Sequence, residues 1–333
     1  MDNLFKSRVL TAAINEMFSP SMMIYRTLFA GKEHMEATDR LAFDVITGSE
    51  DVLGEIAVEA PATVTDHNSR KTVTVTAPRL AQKRFISSAS LNALRGYGEP
   101  VATAQMQQTV ARELQDMRLK HDRTLEMWAA DAMKGQIYDN DRSTVLVDYN
   151  MSDSHKPTLS GTELWTNASS DPIENLRTWK RMIEDDSGTG IDSFLAFVGF
   201  NAMTALLDHD NIRDYFKYTE GSRIAQMGRI SNVAEVDMKE YNGSYKDKNS
   251  TRRRFIPEDY IMLVGVTPDI TDMPYAPVVD DDAPGGVGNS GAGRVFFSKS
   301  WKEKDPSGRW IKTESRPLPV LQRPGCVVYA KVV

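Results

Sequence analysis

The residues of this chain with the chemistry to act on something are five histidines, one cysteine, two acidic clusters and one basic cluster. His34, His67, His121, His155 and His209 are scattered, and none has a second His or Cys at the short spacing that seats a transition metal. Asp139-Asn140-Asp141 and Asp280-Asp281-Asp282 are carboxylate groupings that would take a divalent cation weakly. Neither continues into a calcium loop, which needs a Gly at its sixth position and a Glu at its twelfth. No Gly-x-Ser-x-Gly elbow is present to activate a serine. The Gly-rich stretch 285–293 lacks the Lys-Ser/Thr pair of a phosphate cradle, so 279–293 reads as an exposed, flexible loop. No catalytic residue, metal or cofactor is predicted. An enzyme whose site assembles from dispersed residues stays open as an alternative.

The basic cluster is Arg252-Arg253-Arg254. It reads either as the solvated face of a hairpin or as a contact to phosphate or to acidic groups of a partner. The formal net charge of −6 over 333 residues argues against a dedicated nucleic-acid binder. A single cysteine, Cys326, excludes an intrachain disulfide and fits a reducing compartment. No run of 18 apolar residues predicts a membrane span. The opening residues, Met1-Asp2-Asn3-Leu4-Phe5-Lys6, have no signal-peptide core, which predicts a cytosolic protein. The length suggests roughly two domains.

The elements that would position these residues follow from periodicity. Leu4, Val9, Leu10, Ala13, Ile14, Met17 and Phe18 give a short amphipathic helix over 3–18, stopped by Pro20. A second apolar cluster, Met22 to Phe29, ends at Gly31. This N-terminal region either packs on its own domain or reaches a neighbouring subunit. Residues 41–88 look β-rich, with strict alternation over Thr72-Val73-Thr74-Val75-Thr76. A turn centred on Asn68 and Ser69 sets Val64 opposite Val73 and Ala62 opposite Val75. The resulting hairpin has small apolar residues and needs a surface to lie on, either in its own sheet or elsewhere.

The clearest helix spans 100–134. Its stripe is Met106, Val110, Leu114, Met117, His121, Leu125, Trp128 and Ala132, and Gly135 ends it. At 1.5 Å per residue it is about 50 Å long. Arg112, Glu113, Asp116, Arg118, Lys120, Asp122, Arg123 and Glu126 read as its solvent face. His121 lies on the stripe as a core histidine. Thr144 to Val147 is a strand. Asp171-Pro172 opens a helix with stripe Ile173, Leu176, Trp179/Lys180 and Ile183. Phe194 to Val198 is a buried strand, 201–207 a helix and 212–218 a candidate one. Residues 235–266 are β-like, with a turn over Tyr241 to Ser244. At the end of the chain, Pro317, Pro319 and Pro324 oppose a helix, and 327–333 is a strand.

That last stretch carries a resemblance. Trp301, Asp305-Pro306, Arg309, Glu314-Ser315, Pro317-Leu318-Pro319-Val320-Leu321, Pro324, Val327-Val328 and Ala330-Lys331-Val332 are similar to the C-terminus of the major capsid proteins of the phage lambda head-protein family, the E family. Phe5 to Phe18 with Leu28-Phe29 resembles the family's entry segment. Val45-Ile46-Thr47-Gly48, Leu53-Gly54 and Ala77-Pro78 through Lys83-Arg84-Phe85-Ile86 resemble its next motif, with Gln82 and Thr76 in place of a proline and an aromatic. The motifs occur in the family's order over nearly the whole chain.

The resemblance implies an α+β capsid fold of the Hong Kong 97 type. It implies an N-terminal arm at 1–40 and a strand with an extended E-loop hairpin at 41–88, tip near 66–70. A peripheral domain at 89–169 would hold the spine helix 100–134, an axial domain would span 170–268, and 269–333 would return to the peripheral domain. The implied function is the major capsid protein of a tailed double-stranded DNA bacteriophage or prophage, not an enzyme. Hexamers and pentamers would form an icosahedral head around the genome, without sequence-specific DNA binding and without a membrane, assembled in the host cytoplasm. Decoration, scaffold and portal proteins are candidate partners. The intersubunit candidates are Ile56, Val58, Val64, Val73, Val75, Arg252, Arg253 and Arg254. An encapsulin-like shell of the same fold is the nearest alternative, and a cytosolic α/β hydrolase or transferase the one from another class.

Overall fold

The structure, a computed structural model, describes residues 6–16, 22–47, 69–93, 102–219, 232–283 and 295–333. In chain order the helices are α1 (Ser7–Glu16), α2 (Met23–Leu28), α3 (Ser88–Ala93), α4 (Ala102–Met133), α5 (Pro172–Ser187), α6 (Phe200–Asp208) and α7 (Asp210–Thr219). The strands are β1 (Glu33–Met35), β2 (Arg40–Thr47), β3 (Ser69–Thr76), β4 (Leu80–Ser87), β5 (Gln136–Tyr138), β6 (Val145–Asp148), β7 (Ser193–Val198), β8 (Asn232–Val233) and β9 (Val236–Glu240). They continue with β10 (Ser244–Lys246), β11 (Arg252–Arg254), β12 (Tyr260–Val266), β13 (Thr271–Tyr275), β14 (Phe297–Glu303), β15 (Gly308–Ser315), β16 (Val320–Leu321) and β17 (Val327–Lys331). No described helix is long and apolar enough to cross a membrane.

The chain divides into two compact units. One is Met1–Ala42, Thr74–Ala129 and Met273–Val320; the other is Phe43–Val73, Ala130–Asp272 and Leu321–Val333. The chain passes from one unit to the other near 272 and again near 320, and β17 pairs with β12.

In the first unit β14, β15 and β4 form an antiparallel sheet in that order. Successive residues of a strand face opposite sides. On one side Ile86 and Ile311 close a buried cluster with Leu10 of α1 and Val110, Leu114 and Met117 of α4. On the other, the register sets Trp301, Trp310 and Phe85 in one row, with ring centroids 6.4 and 5.0 Å apart. Thr11 Oγ1 donates to the Ser298 carbonyl and Asn15 Nδ2 to that of Phe296, which pins α1 along this sheet. Of the two readings of the N-terminal region, α1 therefore shows the packing on its own unit.

The stripe of α4 is as expected. Val110, Leu114, Met117, His121, Leu125, Trp128 and Ala132 are all buried. Two residues assigned to its solvent face are not exposed: Asp122 and Glu126 are buried. Helix α2 has Met22 at its N-cap, with no side chain to accept its first N–H groups. Glu126 supplies the missing acceptor, taking the N–H of Ile24 and of Tyr25 at 2.9 Å each. Asp122 takes Arg118 Nε at 2.8 Å, one turn away. Gly135, at φ 93°, ends the helix in the left-handed conformation that favours glycine.

The second unit is built on a five-stranded sheet, order β17-β12-β7-β9-β8. β12 is antiparallel to both neighbours, and β7 runs parallel to β9 after a crossover through α6 and α7. One face carries Ala196, Val198, Ile261, Leu263, Val328 and Ala330, packed with Leu176, Trp179 and Ile183 of α5 and with α6. Asp171 caps α5 by accepting from the N–H groups of Ile173 and Glu174, and Pro172 follows where a missing N–H is harmless.

Two strand expectations change. β3 pairs with β2, and Ser69 already lies inside β3; the expected partners Ala62 and Val64 lie outside the described residues. Period-2 alternation marks a strand but does not select its partner. Pro324 does not exclude helical backbone: it opens the 3₁₀ turn Pro324–Cys326, again at a position that needs no N–H.

Candidate assembly surfaces

The three arginines occupy β11, which pairs antiparallel with β10 as Arg252 to Lys246, Arg253 to Tyr245 and Arg254 to Ser244. Tyr245 and Tyr241 seat this hairpin on the ring of Phe255, with centroids 5.3 and 5.8 Å away. Arg253 Nε donates to Asp247 at 2.8 Å. That bond, with the N–H groups of Thr251 and Asn249, holds the Asp247 carboxyl below its ordinary value. Arg254 donates to Glu258 at 3.2 Å and to the Asn242 carbonyl at 2.6 Å. Among the described residues the Arg252 guanidinium has no hydrogen-bond or ion-pair partner, and its side chain is exposed. The cluster thus divides into two arginines that hold the hairpin and one that is free.

Ile56, Val58 and Val64 lie outside the described residues. Val73 and Val75 are half-buried while Thr72, Thr74 and Thr76 are exposed, which follows the alternation read from the sequence.

The described histidines are tied into the fold. His155 lies 2.8 Å from both the Val327 carbonyl and an Asp186 oxygen. His209 is held by Ser170 Oγ at 3.1 Å and accepts the Asn211 N–H at 3.3 Å. His34 is exposed beside Glu36, at 3.1 Å. His67 is outside the described residues. His121 is buried, 3.0 Å from Thr313 Oγ1 and edge-on to Phe296. Burial first and Arg118 second push its pKa down to about 4 from 6.5, against a smaller opposing pull from Glu314.

A histidine kept neutral in the fold makes stability pH-dependent. Its contribution is complete above pH 6.5 and is lost as pH falls toward about 4, because the unfolded chain takes the proton first. We expect wild type to lose about 1.4 kcal/mol per pH unit across this window on account of His121. Denaturant melts of wild type and His121→Gln between pH 7 and 5 check this: the variant's slope should be flatter by that amount.

The acidic clusters are occupied by the protein itself. Asp141 accepts the N–H groups of Thr144 and Ser143 and the Thr144 hydroxyl, at 2.9 to 3.0 Å, which holds its carboxyl well below the usual range. Asp280 sits between Lys299 at 2.7 Å and Lys312 at 3.1 Å. In the fold these carboxylates cap a turn and form ion pairs. Among the described residues no three His, Cys, Asp or Glu are placed to hold a metal.

Sequence reasoning missed the continuation of the Asp280 pairing. Lys312 also reaches Glu314 at 2.6 Å, and Arg79 clamps Glu314 with bonds of 2.7 and 2.8 Å. The signal available was positional: Glu314 shares a strand face with Lys312, two residues before it. Asp131 is a second such group, buried at the end of α4 and paired with Arg142 and Lys134. Cys326 is buried, which pushes its thiol up to about 11 and leaves it unreactive.

Solved structures place this architecture. A structure described as the capsid protein of an E. coli CFT073 prophage matches with TM-score 0.66 and 17% identity, over 98% of this chain and 99% of that one. A phage-related protein from Bordetella bronchiseptica RB50 matches with TM-score 0.56 and 14% identity, over 98% and 97%. The mature capsid of bacteriophage PhiM1 matches with TM-score 0.53 and 11% identity, over 95% and 87%. No curated protein is significantly similar in sequence. The fold is therefore the mixed α and β Hong Kong 97 type. The model of the family described as phage major capsid protein E matches residues 6–332. The chain belongs to the phage major capsid protein E family.

Proposed function

We propose that this chain is the shell subunit of a tailed-phage or prophage head, assembling as hexamers and pentamers into an icosahedral shell around double-stranded DNA. The family match over 6–332 carries this reading. In this reading 1–40 is the arm and α4 the spine helix of a peripheral domain. Residues 48–78 are the E-loop, and 170–268, joined by β17, form the axial domain. The net charge of −6 suits a lining that encloses DNA without gripping it. Assembly would take place in the host cytoplasm, with decoration, scaffold and portal proteins as further partners.

Light scattering and electron microscopy of the overexpressed protein test the reading. Closed shells or capsomers are expected. A small oligomer at every concentration and salt condition would overturn it.

A further inference from the structure

We infer that Asn242 is a site of spontaneous chemical modification, where the backbone nitrogen of Gly243 closes on the Asn242 amide and converts it to aspartate and isoaspartate. The site lies in the turn between β9 and β10 and is independent of the shell reading.

Asn242-Gly243 is the single Asn-Gly pair of the chain. The reaction needs an asparagine side chain in water, followed by a backbone nitrogen free to attack it. Asn242 is exposed. Among the described residues the Gly243 N–H has no hydrogen-bond partner. Glycine also lacks the Cβ that would shield this nitrogen, and its backbone turns more freely toward the amide. A second asparagine of the same hairpin gives the contrast. Asn249 is equally exposed and precedes Ser250. There the nitrogen is taken, because the Ser250 N–H donates to the Asp247 carbonyl at 2.9 Å. Exposure is common to both asparagines, and the free nitrogen selects Asn242.

Water is the only co-reactant, and nothing is oxidised or reduced. The Gly243 nitrogen bonds to Asn242 Cγ and the Cγ–Nδ2 bond breaks. The Gly243 proton leaves with Nδ2 as ammonia, and a cyclic imide remains. Water then opens the imide at either carbonyl. Attack at Cγ gives aspartate. Attack at the main-chain carbonyl gives isoaspartate, in which the chain runs on through Cγ. Either product disturbs this turn. Asn242 Nδ2 donates to the Glu240 carboxylate, so an aspartate at 242 sets an anion where a donor stood. Isoaspartate adds a methylene to the main chain just before Gly243. That shifts the Gly243 carbonyl from the Phe255 N–H, which it accepts at 3.1 Å, and so loosens the hairpin at its base.

Peptide mapping by mass spectrometry of the whole protein, fresh and after storage in mild alkali, tests this. Base speeds the attack by deprotonating the backbone nitrogen. Asn242 should convert at least about tenfold faster than Asn249, with isoaspartate among the products. Asn242→Gln would have to close a larger ring and should show no conversion while melting like wild type. In the stored protein the Phe255 N–H should exchange with deuterium faster than in the fresh one. An unmodified Asn242, equal rates at 242 and 249, or aspartate without isoaspartate would each overturn the imide route. Unchanged exchange at Phe255 in fully converted protein would overturn the loosening of the hairpin.

Discussion

Replacing residues 50–67 with a short Gly-Ser linker is expected to leave a folded subunit that forms no shells. The segment's larger apolar residues are Val52, Leu53, Ile56, Val58 and Val64, set among small, polar and acidic residues and Pro61. Burying a Val or Ile side chain contributes about 1.5–3 kcal/mol. Ordering one residue of backbone costs about 1–2 kcal/mol. In the E-loop reading a segment this sparse is ordered by the surface of a neighbouring subunit. The base of the excursion is sound without it. β2 and β3 are paired, and Ala77 N–H donates to the Asp39 carbonyl at their outer end. The pairing is thus antiparallel, which brings Thr47 and Ser69 close enough for a linker of a few residues, since paired strands lie about 4.8 Å apart. Circular dichroism and the melting midpoint should stay near native while electron microscopy shows no particles. A variant that unfolds, or one that still builds shells, removes the E-loop assignment.

How far the fold was legible depended on how many residues repeated the same message. The stripe of α4 held one face over seven steps of three or four residues, and every described member of it from Val110 onward is buried. α5 announced itself with Asp171 and Pro172 at its start. The run Phe194 to Val198 became the centre of the larger sheet. What escaped were facts that belong to pairs of distant segments. Glu126 reads as a solvent-facing acid on any helical wheel. It is buried because α2 arrives with two unaccepted N–H groups, and nothing near residue 126 says so. The pairing of β3 with β2 is not legible for the same reason, since the alternation of β3 fits any neighbouring strand equally well. The arginine cluster was placed correctly on a hairpin, but only coordinates separate the two arginines with local acids from Arg252.

Glu314→Ala is expected to cost about 3–5 kcal/mol, the range for removing one partner of a buried ion pair. The Glu314 side chain is fully buried in β15. Burial alone would raise its carboxyl, but hydrogen bonds from Arg79 and Lys312 outweigh that and hold it below the ordinary value of 4.5. Truncation leaves Lys312 with Asp280 alone and deprives Arg79 of both its bonds. Arg79 is 56% exposed and can turn to water, which places the cost toward the lower end of the range. Glu314→Gln keeps the shape and loses the charge, so it should cost less, about 1.5–3 kcal/mol. A depressed carboxyl stabilises the fold above pH 4.5, and that contribution is lost as pH falls through the folded-state value. The gap between wild type and Glu314→Ala should therefore be full at pH 7 and narrow in acid. Urea melts at pH 7 and at pH 3.5 measure both effects. An alanine variant with the wild-type midpoint at pH 7 would show that the Arg79–Glu314–Lys312 chain lies on the sheet without stabilising it.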